Sequence, residues 1–125
     1  MDTFPFARNA DIEVTATDFV GRVASPIEDK QHLFRALQDA LNIPSYFGHN
    51  WAALDECLSD LGWIPNPRII LIHAGAPRLG HKELRIYLEI LRDGIEALSE
   101  RRRALIVGFP EQSRALRDAW NSVKR

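Results

Sequence analysis

The sequence predicts an α/β protein in which a three-stranded parallel sheet is covered by helices and followed by an extra C-terminal helix. Short apolar, β-branched runs at residues 18–23, 68–72 and 104–107 predict the strands. Longer stretches with helical spacing of apolar residues separate them, and this alternation favours parallel strands joined by right-handed crossovers. With 125 residues and no repeat or linker, residues 1–125 are expected to form a single domain.

The first strand and first helix have clear local signals. Gly21 is expected to mark a bend in the strand at residues 18–23. Ser25, Pro26 and Glu28 then occupy the N-cap, N1 and N3 positions of a predicted helix start. Apolar residues at helical spacing extend that helix to about residue 41, with His32 expected on its surface.

The second half repeats the strand and helix pattern. Residues 73–77 form a loop after the strand at 68–72, at the carboxyl edge where open α/β sheets tend to bind ligands. A long helix starts near residue 81, and Gly94 is expected to weaken it by about 1 kcal/mol relative to alanine. The strand at 104–107 is expected to stop at residues 108–110, and residues 111–123 form the last helix.

Residues 1–17 carry no clear pattern. Two apolar groups, at residues 4–6 and 12–14, are compatible with a short extended segment or with a coil that lies along the domain. The sequence therefore leaves the N-terminal segment undetermined.

Residues 44–63 contain the most informative stretch. Pro44 ends the preceding segment, and Gly48 is expected to adopt a backbone angle that few residues allow. Asn50 is the predicted N-cap of a short helix over residues 51–61, and Gly62 is its predicted C′ residue. Leu54, Cys57, Leu58 and Leu61 recur at three- and four-residue intervals and predict the buried side of this helix.

The opposite side of this helix, called the acidic face below, consists of Ala52, Asp55, Glu56, Ser59 and Asp60. No lysine or arginine occurs between Arg35 and Arg68. Three aromatic residues, Tyr46, Trp51 and Trp63, flank the acidic face. Aromatic anchors with carboxylates favour a binding surface for cationic groups. The alternative is a solvated acidic face above aromatic residues that belong to the core.

The composition bears on the cellular location of the protein and on whether it can form disulfide bonds. Cys57 is the single cysteine, so no internal disulfide forms, and its place on the apolar side predicts a small buried residue. The sequence has a formal net charge of −1 and no apolar run of membrane-spanning length. Since its N-terminus also lacks a signal-peptide pattern, a cytoplasmic protein is expected.

Catalysis is not the favoured interpretation. The four histidines show no metal-ligand spacing, and no phosphate-binding glycine loop or nucleophile motif is present, so neither a metal nor a cofactor is expected. An acid/base pair of His49 and Asp55 is disfavoured. Direct nucleic-acid binding by the basic residues 101–103 and those near the C-terminus is a minor alternative, because capping and solvation explain such residues.

The run Tyr-Phe-Gly-His-Asn-Trp-Ala-Ala-Leu-Asp-Glu-Cys-Leu at residues 46–58 resembles the barstar family of ribonuclease inhibitors. The matching positions are an aromatic pair, Gly48, Asn50, Ala53, Leu54, Cys57 and Leu58. A looser resemblance in the order of elements extends from Phe19 to Phe109. The resemblance implies the barstar fold and an intracellular inhibitor of a small, basic, barnase-like ribonuclease. It also implies a monomer that forms a 1:1 complex with that protein, without membrane or nucleic-acid contact.

The resemblance assigns partner-binding roles residue by residue. Glu56 matches the acid that lies deepest in the nuclease site, whereas Asp55 stands in place of an aromatic residue and Ala52 in place of an aspartate. These differences leave open an alternative, a barstar-like module that binds a toxin or regulator other than a ribonuclease. The complete set of implied contact residues is Tyr46, Gly48, Asn50, Trp51, Ala52, Asp55, Glu56, Trp63 and Asp93.

Overall fold

A computed structural model describes residues 4–123 as a parallel four-stranded sheet with helices packed on it. The strands are β1 (Ala7–Arg8), β2 (Phe19–Val23), β3 (Arg68–His73) and β4 (Ala104–Phe109). Their order in the sheet is β1-β4-β3-β2. The helices are α1 (Lys30–Leu41), α2 (Trp51–Asp60), α3 (His81–Glu100) and α4 (Arg114–Val123), with a 3₁₀ turn at Asn9–Asp11.

The α/β class and the parallel pairing are as predicted, but the sheet has four strands rather than three. The additional strand is β1, which pairs with the end of β4 through Ala7↔Gly108 and Arg8↔Phe109. Two residues are too few to show the alternation by which a strand is recognised in a sequence. For this reason the sequence left residues 1–17 undetermined.

The main core lies between the sheet and the helices. Ile69 and Leu71 of β3 and Leu105 and Val107 of β4 are buried there with the apolar sides of the helices. α1 packs on β2, whereas α3 contacts β4, α2 and α4. No helix within residues 4–123 combines the length and apolar character needed to cross a membrane.

The N-terminal segment packs on the opposite face of the sheet. Ile70 of β3 is fully buried but is not part of the core beneath the helices. Asn9 Nδ2 donates to the carbonyl of His73 at 2.8 Å, and the Arg68 guanidinium donates to the Asp18 carboxylate at 2.9 Å and the Glu13 carbonyl at 3.0 Å. Residues 12–18 are thus the coil along the domain, and residues 7–8 are the short extended segment.

The predicted start of α1 is wrong. The helix begins at Lys30, and its N-cap is Asp29, whose carboxylate accepts from the His32 amide at 2.8 Å. Ser25 and Pro26 precede the helix and are joined by a cis peptide bond. Ile27 is 1 % exposed, because the chain carries it into the core before the helix begins.

Three other local predictions also need correction. Gly21 does not mark a bend but lies within β2 beneath α1, where a Cβ atom would approach the Ala40 carbonyl oxygen to 2.5 Å. β4 continues to Phe109 because Gly108 and Phe109 pair with β1. α4 begins at Arg114 rather than at residue 111. Ser113 precedes this helix start, and its hydroxyl accepts a hydrogen bond from the Leu116 amide at 3.3 Å.

Candidate protein-binding site

Polar side chains fix the end of the loop that leads into α2. Asn50 is the N-cap, as predicted: its Oδ1 accepts from the Ala53 amide at 2.8 Å, and its Nδ2 donates to the Gly48 carbonyl at 3.3 Å. The left-handed residue is His49, with a φ of 53°, and not Gly48. His49 tolerates this backbone conformation because its Nε2 lies 2.7 Å from Gln38 Oε1 of α1 and its ring packs on Phe47.

The carboxyl end of α2 differs from the prediction. The helix stops at Asp60, and the left-handed residue is Leu61, with a φ of 49°, rather than Gly62. Leu61 is completely buried, so core packing holds the strained residue in place. Gly62 has no positive φ angle and does not act as the cap.

A distant arginine secures this end of α2. Arg103 donates from Nη1 to the carbonyls of Asp60 at 3.3 Å and Leu61 at 3.1 Å, and from Nη2 to the carbonyl of Asn66 at 3.1 Å. The Asp60 and Leu61 carbonyls lie at the carboxyl end of α2, where backbone carbonyls lack helical partners, and the guanidinium supplies both hydrogen bonds and charge. Arg103 therefore fixes the segment that carries Trp63, a role that sequence reasoning missed.

The buried side of α2 agrees with the predicted stripe. Leu54, Leu58 and Leu61 are fully buried, and Cys57 is 7 % exposed. Burial raises the pKa of the Cys57 thiol. Cys57 therefore packs as a small apolar residue rather than a reactive thiolate.

The carboxylates around α2 fall into two groups. Asp60 lies 3.8 Å from the Arg101 guanidinium, and Asp93 of α3 accepts from Arg92 at 3.0 Å. Glu56 is exposed and, within residues 4–123, forms neither an ion pair nor a hydrogen bond. Asp55 is likewise unpaired within that range. Within residues 4–123, the acidic face thus has two unpaired carboxylates, Asp55 and Glu56, and one that is paired with an arginine, Asp60.

Asp55 has a distinct electrostatic environment. Its side chain is half-buried, and desolvation raises the pKa of its carboxyl group, with additional repulsion from Asp93 and then Glu56. Asp55 and Asp93 lie on the two helices α2 and α3, which pack against each other. A cation at this site would relieve the repulsion and favour the charged form of Asp55.

The three aromatic residues have different environments. Tyr46 is 74 % exposed. Trp63 is half-buried, and its Nε1 donates to the Leu41 carbonyl at 2.9 Å. Trp51 is directed towards the core, where its ring packs edge-on against the ring of Phe34 with 4.9 Å between the ring centroids.

The structure brings part of the predicted set together in a shallow pocket. This pocket has a volume of about 170 Å³ and is lined by Tyr46, Glu56, Cys57, Asp60 and Trp63. Gly48, Asn50 and Ala52 are exposed near the amino end of α2. Asp93 lies on α3 and does not line this pocket. Trp51 and Trp63 are both partly buried and pack against the core.

Within residues 4–123, the site offers carboxylates and aromatic rings, and no histidine is hydrogen-bonded to one of its carboxylates. The His49 ring is bound to Gln38 rather than to Asp55. In the part of the chain that the structure describes, no three histidine, cysteine or acidic side chains are grouped to hold a metal ion. The arrangement is chemically suited to bind a cationic partner through charge-assisted hydrogen bonds.

The basic residues at 101–103 do not form an independent patch. Arg103 is engaged by the carbonyls at the end of α2, and Arg101 contacts Asp60 both at its carboxylate and at its carbonyl. Two of the three guanidinium groups therefore stabilise the segment that carries the acidic face. This arrangement weakens the case for a nucleic-acid contact there.

Comparison with known proteins identifies a family. A family model described as Barstar (barnase inhibitor) matches residues 20–110, well over half of the chain. A search of curated proteins finds no matching relative. The match includes α2 and the residues around it, whereas β1, the coil up to β2 and α4 lie outside it.

Proposed function

Because the chain belongs to the barstar family, we propose that it inhibits a small cationic ribonuclease of the barnase type by covering the active site of that enzyme. The observation that carries this proposal is a pair of carboxylates on α2, Asp55 and Glu56, that form no ion pair or hydrogen bond within residues 4–123. Glu56 is exposed beside an exposed ring, Tyr46. A surface of this kind is complementary to a site that binds RNA phosphates.

The proposed mechanism is mimicry of phosphate groups. A ribonuclease positions arginine, lysine and histidine side chains to bind phosphate, and the Glu56 carboxylate would accept hydrogen bonds from the same groups. Asp55 would add a second negative charge at the centre of the contact. Opposite charges would accelerate the encounter, and buried charged hydrogen bonds would slow dissociation.

The residues around Asp55 and Glu56 would contact the partner next to this central pair of carboxylates. Tyr46 and Trp63 would pack against apolar surface around the nuclease site, and Gly48 and Asn50 would contribute the loop next to it. Arg101 and Arg92 keep Asp60 and Asp93 partly neutralised in the free protein. We propose that these two acids lie at the rim, where a partner competes with intramolecular arginines.

Ala52 favours a second candidate function. It is exposed on the acidic face, where the family pattern has an aspartate, so this chain has one carboxylate fewer. Fewer carboxylates suit a less cationic partner. The second candidate is a barstar-like module that binds a toxin or regulator without ribonuclease activity.

An affinity-capture experiment followed by an activity assay distinguishes the two candidates. The protein, immobilised through its C-terminus, is incubated with lysate and secreted proteins of the producing cell. The account predicts capture of a small basic protein whose RNA-cleaving activity is blocked by one equivalent of the inhibitor. Capture of a stoichiometric partner that cleaves no RNA would support the second candidate and contradict the first.

A localisation measurement belongs with this proposal. An inhibitor that protects the producing cell acts where the nuclease would meet cellular RNA, so we place the protein in the cytoplasm. Fractionation of the producing cell checks this, and recovery of the protein mainly in the medium would contradict it.

A further inference from the structure

The outer edge of β2 is an unpaired strand edge next to a charged groove. In the part of the chain that the structure describes, β2 lies at the end of the sheet order and pairs only with β3. The Val23 carbonyl accepts from the Ala74 amide of the β3 side at 2.9 Å. Because successive residues of a strand direct their backbone groups to opposite edges, Val20, Arg22 and Ala24 direct theirs away from the sheet.

Helix α1 forms the wall of a groove along this edge. The groove has a volume of about 400 Å³ and is lined by Arg22, Ala24, His32, Arg35, Ala36 and Asp39. From residue 32 to residue 39 the helix rises by roughly 10 Å, which equals the length of about three residues of extended chain. An extended segment of about three residues therefore fits along the groove, next to Arg22 and Ala24.

The charges in the groove select the kind of partner. Within residues 4–123, Arg22 and Arg35 form no ion pair, and both are exposed. Asp39 is the one carboxylate among the lining residues. Arg22 combines an outward-facing backbone with a cationic side chain, so a carboxylate on an added strand would be favoured opposite it.

We propose that the outer edge of β2 binds an extended segment of a partner protein, which adds to the sheet as a fifth strand and places an acidic side chain opposite Arg22. The backbone groups of Val20, Arg22 and Ala24 supply the hydrogen bonds, as in other cases of strand addition. The cation supplies the preference for an acidic segment. This surface is separate from the acidic face of α2 and does not rest on its proposed function.

A second copy of the chain is a poorer occupant of the same edge. An antiparallel pair of β2 strands with the greatest overlap of outward-facing residues would place Arg22 opposite Arg22 and Val20 opposite Ala24. Like charges directly opposite each other destabilise a strand pair. The charge of the edge therefore favours an acidic segment over self-association.

The test uses two matched peptides and amide NMR spectra of the full chain. The probes are acetyl-Thr-Val-Glu-Val-Thr-amide and the same peptide with lysine at its centre. The glutamate peptide is expected to shift the amides of residues 20–24 and of α1, and to bind roughly three- to ten-fold more tightly than the lysine peptide. In R22E the order of the two affinities is expected to reverse.

A backbone variant separates strand addition from simple charge attraction. V20P removes one outward-facing N–H without removing a donor that bonds to β3, and it should weaken both peptides. The thermal midpoint of each variant is measured to show that it folds. If V20P does not fold, the order of the two peptide affinities in R22E decides the test.

Four results would overturn the proposal. They are no shift at millimolar peptide, equal affinity for both peptides, an unchanged order in R22E, or shifts confined to residues 46–63. A dimer of the wild type in analytical ultracentrifugation that is absent in V20P would instead show that a second copy of the chain occupies this edge.

Discussion

Asp55 and Glu56 are neighbours in the sequence, but the structure places their carboxylates in different environments. Glu56 is exposed, whereas Asp55 is half-buried next to α3. Their side chains are separated by about 100° around the helix axis. The difference makes Glu56 available for direct contact and makes the charge of Asp55 sensitive to pH.

Binding of a cationic partner is expected to weaken on the acid side of neutrality through Asp55. Its pKa is raised, so Asp55 loses its charge at a higher pH than an ordinary aspartate as the solution is acidified. The association rate should fall with decreasing pH, and D55N should remove part of that dependence. Carbon NMR titration of the Asp55 carboxyl group measures the shift directly.

The matched control for this titration is D118N. Asp118 is an exposed aspartate on α4, and its substitution should leave the pH dependence as in the wild type. Equal pH profiles for the wild type, D55N and D118N would contradict a contribution of Asp55 to binding.

The sequence predicted that His73 begins a loop at residues 73–77. In the structure His73 is instead a buried residue of the sheet. It is the last residue of β3 and is fully buried. Its Nδ1 donates to the Gly108 carbonyl at 2.9 Å, and its Nε2 accepts from the Tyr87 hydroxyl at 2.7 Å. Burial raises the pKa of Tyr87 and lowers the pKa of His73 to about 4.

The free energy of unfolding is expected to decrease as the pH falls below 6.5. The pKa of His73 is about 4 in the folded state and about 6.5 when unfolded, so the unfolded chain binds a proton first. The stabilisation is complete above pH 6.5 and is lost as pH falls through 4, with a total change of about 3 kcal/mol. Urea titrations between pH 7 and pH 4 measure it.

Two controls make this prediction specific. H81Q changes an exposed histidine and should retain the pH dependence of the wild type. NMR of the His73 ring should show the neutral form at pH 5. A ring that is protonated at pH 6 in the folded protein would refute the explanation.

At the scale of elements, the position of α2 depends on its close contact with α3. A Cβ atom on Gly94 would lie 3.1 Å from the Leu58 carbonyl oxygen and 3.3 Å from Leu58 Cβ. Gly94 therefore permits the crossing of the two helices. The sequence indicated only its cost to helix stability, since the partner residue lies on another element.

Substitution of Gly94 tests this crossing. G94A should fail to give the gain of about 1 kcal/mol expected from helix propensity, because the added methyl group meets the backbone of α2. G94L should lower the free energy of unfolding by roughly 1–3 kcal/mol through overpacking. Chemical denaturation provides both values, with S99A on the exposed side of α3 as the control. A full stabilisation in G94A would show that the helices are not in close contact there.

The two ends of α2 illustrate what could be predicted at this scale. Asn50 and the apolar stripe are local features of the sequence, and both predictions are correct. The carboxyl end depends on the burial of Leu61 and on Arg103, which is 43 residues away from Asp60. Tertiary contacts of this range override local signals such as that of Gly62.

At the scale of the whole molecule, the two faces of the sheet are covered by different parts of the chain. The helices cover one face, and residues 9–18 pack on the other, outside the region matched by the family model. Phe6, immediately before β1, is 3 % exposed. The centroid of its ring lies 5.6 Å from that of Trp120 and 5.7 Å from that of Phe109. The N-terminal segment is thus integrated with β4 and α4.

Truncation of Phe6 should therefore be as costly as a change in the central core. F6A is expected to lower the free energy of unfolding by about 3–5 kcal/mol, as do other large-to-small changes of buried aromatic residues. V14A changes an exposed residue of the same segment and should alter stability by less than about 0.5 kcal/mol. Thermal and urea unfolding give these values, and a neutral F6A would contradict the observed packing.

The order of β2, β3, β4 and the four helices could be predicted because each element has its own apolar periodicity. β1 could not, since its two residues become a strand only by pairing with β4. The candidate site was predicted through a resemblance over residues 46–58. The pairing of Asp60 with Arg101 and Asp93 with Arg92 required the structure.

The most direct measurement is the inhibition constant of E56K against the captured ribonuclease, compared with the wild type and with E111K. Glu111 is an exposed acid outside α2, so E111K introduces the same charge change away from the acidic face. The account predicts that E56K inhibits at least about thirty-fold more weakly at an unchanged thermal midpoint, while E111K inhibits like the wild type. Inhibition by E56K equal to that of the wild type would contradict the assignment of α2 as the inhibitory surface.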